Sequence, residues 1–191
     1  MINLDKKIIL ASRSPRRKEL MDGLGIEFEQ RTKETDERYP DTLSPKEVAG
    51  YLSEKKAKAF SGELKNSELI IASDTIVVMD MEILVKPKDF ADAAQMLQKL
   101  SGKMHLVYTA VTIMDDKKIQ TMTDMTKVYM KDMSREEINH YVGCYQPFDK
   151  AGAYGIQEWI GYIAVEKIEG SYFTVMGLPV HLVYEALKNW Q

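Results

Sequence analysis

Runs of consecutive apolar residues along this chain predict strands that are buried in the middle of a sheet. Residues 8–11 (Ile-Ile-Leu-Ala) form the first run, and residues 69–79, which are rich in β-branched side chains, form the second. Two further apolar segments, residues 104–114 and 119–130, are separated by a polar turn at residues 115–118 and predict a long hairpin. The pattern therefore predicts a sheet built around these four strands.

Helix-start signals lie between the predicted strands. Residues 44–47 (Ser-Pro-Lys-Glu) combine an N-cap, a first-turn proline and a capping-box glutamate, which predicts a helix that runs to about Phe60. A second capping box at residues 134–137 predicts a short helix that Gly143 closes. Further helices are predicted over residues 15–21, over residues 91–100, and from Pro179 toward Trp190.

The C-terminal part of the chain predicts one more strand pair. Residues 162–168 and 172–176 are interpreted as strands that turn at residues 169–171. Because helices and strands alternate without a strict βαβ rhythm, the predicted fold class is α/β, with a mixed β-sheet flanked by helices. No linker or internal repeat divides the sequence, so residues 1–191 are predicted to form a single domain with two lobes.

The composition argues against several classes of protein. The 191 residues are 45% hydrophobic and 29% charged, which is enough for one globular domain, and the net charge of −3 argues against a nucleic-acid coat or a binder of anionic membranes. A single cysteine, Cys144, excludes an internal disulfide and a multi-cysteine zinc site. The first residues lack the apolar core of a signal peptide, and no run approaches about 18 apolar residues, so we expect a cytoplasmic protein.

A cluster of cations occupies the start of the helix that follows the first strand. Ser14 is a good N-cap and Pro15 suits the first helical position, so Arg16, Arg17 and Lys18 fall in the first turn, where the helix dipole disfavours positive charge. A bound phosphate would turn this unfavourable placement into a binding site. The alternative is that these long side chains bend outward into solvent, and the segment alone does not decide between the two.

Asp74 is the one charged residue within the apolar run of residues 69–79. A buried carboxylate requires a partner. Backbone groups and a lysine could supply it, which would make the role structural, or Asp74 could be a metal ligand or a general base. Thr75 adds a hydroxyl beside it, although alternation along a strand points the two side chains to opposite faces unless the strand bends.

Other candidate groups are scattered along the chain. Lys56 on the second predicted helix and Lys86 after the central strand could bring cations to one place, although a surface lysine is the ordinary interpretation of each. Glu37 offers a second carboxylate from a loop, with a solvated turn residue as the alternative. Residues 150–157 combine glycines with Gln157, as in a loop that recognises a base or in an ordinary tight turn.

Neither a Walker A sequence nor the dinucleotide fingerprint is present, which excludes the commonest nucleotide-binding folds. Ordered motifs that span nearly the whole chain nevertheless closely resemble the Maf family of nucleoside triphosphate pyrophosphatases. The segments that carry this resemblance are Leu10–Leu20, Ser73–Val77, Lys86-Pro87, Leu100–Thr109, Ala151–Gln157 and Gly170–Pro179. The resemblance implies an elongated mixed α/β sheet with two lobes around a deep cleft, similar to the inosine triphosphatase superfamily.

The resemblance also implies roles for individual residues. It implies a set of phosphate-binding residues, Ser12, Arg16, Lys56 and Lys86. It further implies that Glu37 and Asp74 serve a divalent metal, magnesium or manganese, and that Asp74 accepts the proton of the attacking water. Lys56 and Lys86 join Asp74 as catalytic residues. The expected reaction is attack of water on the α-phosphorus of a nucleoside triphosphate, with release of pyrophosphate.

Three positions mark the branch of the family that acts on dTTP and UTP, and here they are Arg16, Thr75 and Gln157. A sister branch that acts on 7-methylguanosine triphosphate carries glutamine after the aspartate and lacks the isoleucine-glutamine pair, so the pyrimidine branch is favoured. Two departures from the family pattern affect this expectation. Val85 and Glu158 stand where glycine is usual, and a carboxylate at Glu158 could reposition Gln157 or point to solvent.

A competing hypothesis from another class is a nucleotide-binding regulator without turnover, linked to septum formation, with which the family has also been associated. The paired carboxylates favour the enzyme, because a protein that only binds polyphosphate gains from Asp74 only through a metal. The expected partner is therefore the nucleotide, with no nucleic acid and no membrane, and the family suggests a homodimer. A nucleic-acid-binding domain would require a basic face with exposed aromatic residues.

Overall fold

In the computed structural model, which describes residues 4–190, a mixed β-sheet of seven strands is flanked by helices. The strands are β1 (Lys7–Leu10), β2 (Phe28–Gln30), β3 (Glu68–Met79), β4 (Glu82–Leu84), β5 (Met104–Met114), β6 (Ile119–Met130) and β7 (Val165–Glu169). Their order across the sheet is β2-β1-β3-β5-β6-β7, and β4 pairs with β3. The predicted α/β class with a mixed sheet is confirmed.

The helices flank this sheet and vary in length from five to fourteen residues. They are α1 (Pro15–Gly23), α2 (Pro45–Lys58), α3 (Phe90–Leu100), α4 (Arg135–Tyr145), α5 (Trp159–Ala164), α6 (Tyr172–Met176) and α7 (Val180–Lys188), with a 3₁₀ turn over Ala151–Ala153. Within residues 4–190, none of these helices combines the length and the apolar character that a membrane span requires.

Contacts along the backbone divide the described residues into two compact units. The first unit comprises residues 4–74, 109–124 and 177–190. The second unit comprises residues 75–108 and 125–176. Three strands, β3, β5 and β6, carry the chain from one unit to the other.

In the first unit, β1 lies between two parallel neighbours. Ile8 is opposite Phe28 of β2 on one side and opposite Leu69 of β3 on the other. Strands covered on both faces read as continuous apolar runs, which is why this segment and β3 were predictable. Helix α2 packs against this sheet, where the buried residues Ile9, Ala57, Phe60, Ile70, Ala72 and Met114 form one apolar cluster.

The turn between β5 and β6 is held by a buried carboxylate. Asp115 accepts hydrogen bonds from the backbone N–H groups of Lys117 (2.9 Å) and Lys118 (2.8 Å), and from the indole of Trp190 (2.9 Å). The ammonium of Lys6 lies 3.0 Å from Oδ2 of Asp115. Burial alone would raise the pKa of Asp115, but the hydrogen bonds from Trp190, Lys117, Lys6 and Lys118 outweigh burial and hold it well below its usual range.

In the second unit, α3 and α4 pack on each other, and β7 pairs with β6. Val128 of β6 is opposite Ile168 of β7 in an antiparallel register. Buried apolar residues of the two helices, such as Leu97 and Tyr141, supply the core of this unit. Strand β4 pairs antiparallel with the end of β3, with Val77 opposite Leu84.

Most predicted elements are confirmed, and the C-terminal strand pair is wrong. Residues 104–114 and 119–130 are strands with the predicted bounds, but residues 172–176 form helix α6. Residues 162–164 belong to helix α5, in which Ile160 and Ala164 are buried at the four-residue spacing of a helix face. The remaining strand of the predicted pair, β7, takes β6 as its partner instead.

The predicted end of α4 at Gly143 is also wrong. The last residue of the helix is Tyr145. The C-cap residue Gln146 adopts, at φ 45°, the left-handed conformation that terminates many helices. Strands β2 and β4, each of three residues, were not predicted, because so short a segment carries little periodicity.

Replacing Asp115 with alanine is expected to lower the free energy of unfolding by about 3 kcal/mol at pH 7, because the buried indole N–H and two turn N–H groups lose a charged acceptor. A carboxyl whose pKa is depressed on folding stabilises the protein above its unfolded value of about 4 and loses this effect as the pH falls. The difference between wild type and variant should therefore shrink below about pH 4, as urea unfolding would measure.

The matched control is Asp116→Ala, which removes the neighbouring carboxylate. Asp116 pairs with Lys6 at 3.0 Å near the surface, so its loss should cost less than about 1 kcal/mol. Equal effects of the two substitutions would contradict the role given to Asp115.

Candidate active site

The hydroxyl groups of two serines accept backbone N–H groups at the N-terminus of α1, in the first unit. Ser14 is the N-cap, and its hydroxyl accepts the backbone N–H of Arg17 at 3.5 Å. The buried hydroxyl of Ser12 accepts the backbone N–H of Ser14 at 3.1 Å, and the amide of Gln30 donates to the carbonyl of Ser12 at 3.1 Å. Ser12 is thereby fixed just ahead of a helix N-terminus, where backbone N–H groups and the helix dipole favour an anion.

Arg17 and Lys18, both in the first turn of α1, have different partners. The guanidinium of Arg17 donates to the carbonyl oxygens of Gly177 (2.8 Å) and Ser73 (2.7 Å), and Lys18 pairs with Asp22 at 2.6 Å. Burial lowers the pKa of Arg17, and the negative charge of Asp74 opposes that shift. Arg17 thus links α1 to the backbone at Ser73, which precedes Asp74, and at Gly177. The adjacent Arg16 is the residue that the resemblance assigns to phosphate.

Asp74 is buried within β3, with 7% of its surface exposed, and it has a lysine partner. The ammonium of Lys56, in the last turn of α2, contacts Asp74 Oδ1 and lies 3.2 Å from Glu37 Oε1. The structure therefore gives Asp74 the partner that a buried carboxylate requires. It also brings Glu37 to the same ammonium, although 37 and 74 are far apart in the chain.

Glu37 and Asp74 form a donor set that fits a hard divalent cation. Both carboxylates reach one ammonium, so their oxygen atoms converge. Among residues 4–190 there is no group of three or more His, Cys, Asp or Glu side chains that could enclose a metal. Magnesium-type ions are commonly held by one or two carboxylates together with phosphates of a ligand, so two carboxylates satisfy the protein's share.

In the second unit, Lys86 lies two residues after the end of β4, on an exposed stretch of chain. The residue before it, Val85, has 52% of its surface exposed, and its carbonyl accepts the backbone N–H of Gly152 at 3.4 Å. Val85 does not adopt a positive φ, so its backbone conformation does not require glycine. A side chain is therefore tolerated at this position, where the resemblance led us to expect glycine, and this segment is connected to the loop that contains Gln157. Thr75 lies at the start of the same unit, half-buried in β3.

The loop of residues 150–158 has an unusual backbone. Gly152 and Ala153 both adopt left-handed conformations, at φ 68° and 61°. A Cβ at Gly152 would lie 3.0 Å from Val77, so the glycine is required for both conformation and space. The amide oxygen of Gln157 is buried and has no hydrogen-bond partner among residues 4–190. A buried acceptor without a partner is costly unless a ligand supplies a donor.

Sequence reasoning missed the residues that support this loop. The buried ring of His105 lies 2.7 Å from the hydroxyl of Tyr154, and burial lowers the pKa of His105 to about 4. The hydroxyl of Tyr141 accepts the backbone N–H of Gly155 at 3.1 Å. These contacts join residues of α4 and β5 to the loop, and no sequence spacing signals them.

The family of this chain follows from comparison with known proteins. Residues 7–190 match the Maf family, described as Maf-like protein. The chain is 50% identical to a dTTP/UTP pyrophosphatase of Phocaeicola vulgatus over 98% of both chains. It is 48% identical to one of Porphyromonas gingivalis, over 98% of this chain and 96% of the relative. The chain therefore belongs to the Maf family.

Solved structures show a more distant similarity. A nucleoside-triphosphatase, or dITP/XTP pyrophosphatase, of Mycobacterium abscessus is similar with a TM-score of 0.45 and 16% identity, over 94% of this chain and 92% of that one.

Replacing Arg17 with methionine is expected to lower the free energy of unfolding by about 3 kcal/mol, because the carbonyls of Ser73 and Gly177 lose their charged donors. Urea unfolding at pH 7 measures the change. The neighbouring Lys18→Met is the control, since it removes a surface pair with Asp22 and a long contact with the ring of Phe28, and should change stability by less than about 0.5 kcal/mol. Comparable losses in both variants would contradict a structural role for Arg17.

Proposed function

We propose that this protein is a nucleoside triphosphate pyrophosphatase that hydrolyses dTTP and UTP to the monophosphate and pyrophosphate. The observation that carries the proposal is the buried carboxylate of Asp74, which shares the ammonium of Lys56 with Glu37. Two relatives that cover nearly the whole chain are named dTTP/UTP pyrophosphatases, which supports the same substrate class.

Cations of the chain bind the polyphosphate. Four negative charges oppose the approach of a nucleophile, so catalysis rests on positioning and on electrostatic neutralisation. Arg16 offers a planar fork for two phosphate oxygens, and Lys86 offers a point charge. Ser12 and the N-terminus of α1 add hydrogen-bond donors, because the hydroxyl of Ser12 is fixed by its contact with the backbone N–H of Ser14.

Asp74 is the proton acceptor. The oxygen of water attacks the α-phosphorus, the bond from that phosphorus to the bridging oxygen of the β-phosphate breaks, and pyrophosphate leaves. The proton of the water moves to the carboxylate of Asp74. Lys56 holds this carboxylate in place and, once the phosphates bind, shares its positive charge with them.

Glu37 and Asp74 would together hold a magnesium or manganese ion. When bound, such an ion polarises a phosphoryl oxygen and lowers the pKa of a water molecule. Glu37 is half exposed, so its carboxylate can exchange the ammonium of Lys56 for another cation without uncovering the core.

Gln157 recognises the base. Its buried amide oxygen requires a donor, and the ring N–H between the two carbonyls of uracil and thymine supplies one. Cytosine has a lone pair at that ring position, so it would leave the oxygen without a partner. A site built to accept a hydrogen bond discriminates strongly against ligands that lack the donor. Thr75 and Arg16 complete the specificity set that the family resemblance implies.

Pyrophosphate release by the purified protein tests the proposal. The panel is dTTP, UTP, CTP, GTP and 7-methylguanosine triphosphate, each with magnesium or with manganese. We expect release mainly from dTTP and UTP, and we expect a chelator to abolish it. Nucleotide binding without release from any member of the panel would contradict the proposal and favour the regulator.

Replacing Asp74 with asparagine is expected to lower kcat for UTP between about 10²-fold and 10⁴-fold, because the proton acceptor is lost while the side-chain volume is kept. Lys56 retains Glu37 as a partner, so thermal unfolding should show an intact fold. The control is Asp41→Asn, which removes an exposed carboxylate of the same unit and should leave kcat unchanged. Substantial turnover by Asp74→Asn would exclude the role given to this residue.

A further inference from the structure

A network of side-chain contacts joins the two ends of the loop of residues 150–158. The ammonium of Lys150 lies 3.1 Å from Oε1 of Glu158, and the other carboxylate oxygen of Glu158 accepts the hydroxyl proton of Tyr141. That hydroxyl in turn accepts the backbone N–H of Gly155 at 3.1 Å. The first residue, the middle and the last residue of the loop are thus held by one network.

Glu158 is the member of the network that the loop depends on most. Lys150 has 7% of its surface exposed, and a buried ammonium requires a counter-charge. Its other partner, Asp149 at 2.7 Å, has a side chain that is 57% exposed, whereas that of Glu158 is 19% exposed. An ion pair strengthens as water is excluded, so Glu158 is the stronger counter-charge. It points into the protein and not to solvent.

Glu158 and Gln157 are packed on the same piece of backbone. A Cβ at Gly155 would lie 2.9 Å from Nε2 of Gln157 and 3.0 Å from Cδ of Glu158. The amide of Gln157 and the carboxylate of Glu158 therefore share the space that this glycine leaves open. Both side chains lie close to this glycine, so a displacement of the Glu158 carboxylate changes the space available to the Gln157 amide.

We propose that Glu158, itself held by Lys150 and Tyr141, is a positioning residue for base recognition that keeps the amide of Gln157 in place beside Gly155. This inference rests on the proposed function, in which the amide oxygen of Gln157 accepts the ring N–H of uracil or thymine. Glu158 acts without touching the substrate.

Glu158→Gln is the primary variant, because it keeps the length of the side chain and an oxygen for Tyr141 but removes the charge that faces Lys150. A base contact is made equally in the ground state and the transition state, so its loss raises KM and leaves kcat unchanged. We expect KM for UTP to rise about tenfold, kcat to stay within about twofold, and the preference for UTP over CTP to fall about tenfold.

Two further measurements separate positioning from a merely structural role. Glu166→Gln removes an exposed carboxylate from the same unit and should change neither KM nor the preference for UTP over CTP. In the double variant Lys150→Met/Glu158→Gln, the rise in KM for UTP should be smaller than the product of the rises in the two single variants. The reason is that removing both charges leaves no unpaired buried charge. A structural role alone would lower the unfolding temperature without changing the preference for UTP over CTP, measured as the ratio of kcat/KM for the two substrates.

An unchanged ratio of UTP to CTP in Glu158→Gln would overturn the inference while the proposed function stands. If Glu158→Gln does not fold, Tyr141→Phe tests the same network, since it removes only the hydroxyl that joins Glu158 to Gly155. Absence of hydrolysis by the wild type would overturn the proposed function instead. In that case, calorimetric binding of α,β-imido-UTP to the wild type and to Glu158→Gln decides the inference, and equal affinities would overturn it.

Discussion

A carboxylate in an apolar strand requires a positive charge, and the arrangement of the first unit follows from how this requirement is met at Asp74. The strand supplies no cation of its own, so helix α2 must end where Lys56 can reach it. The core cluster that packs α2 on the sheet, with Ala57 next to Lys56 in the chain, fixes the position of that helix end. Apolar packing and electrostatics thus determine one geometry together, because a shift of α2 would leave a buried charge without its partner.

Residues with the same charge have different proposed roles in this protein. Arg17 donates to two backbone carbonyls, which fixes the start of α1 beside β3, while the proposed role of Arg16 is to bind phosphate. Lys150 and Lys56 are both held by two carboxylates, yet Lys150 closes a loop, whereas the proposed role of Lys56 is catalytic. Residue type and local spacing therefore do not separate structural cations from those proposed to act in catalysis.

The sequence predicted those features that depend on neighbouring residues. The bounds of β5 and β6 were predictable because two apolar segments flank a polar turn, and the capping box at Ser44 placed the start of α2. The C-terminal strand pair was mistaken because aromatic and β-branched residues favour strands, whereas tertiary packing selected helices α5 and α6. The meeting of Glu37, Lys56 and Asp74 depends on the fold, so local spacing did not predict it. The homodimer and the cytoplasmic location stay predictions.

The loop of residues 150–158 has a thermodynamic consequence for nucleotide association. Its ends are tied by the ion pair of Lys150 and Glu158, and its middle is tied through Tyr141 and His105. The conformational entropy of this segment is therefore lost when the second unit folds and not when a ligand arrives. In the proposed recognition of the base by Gln157, the loop adds no ordering cost of its own, so a single well-placed hydrogen bond can contribute more of its strength to the choice between bases.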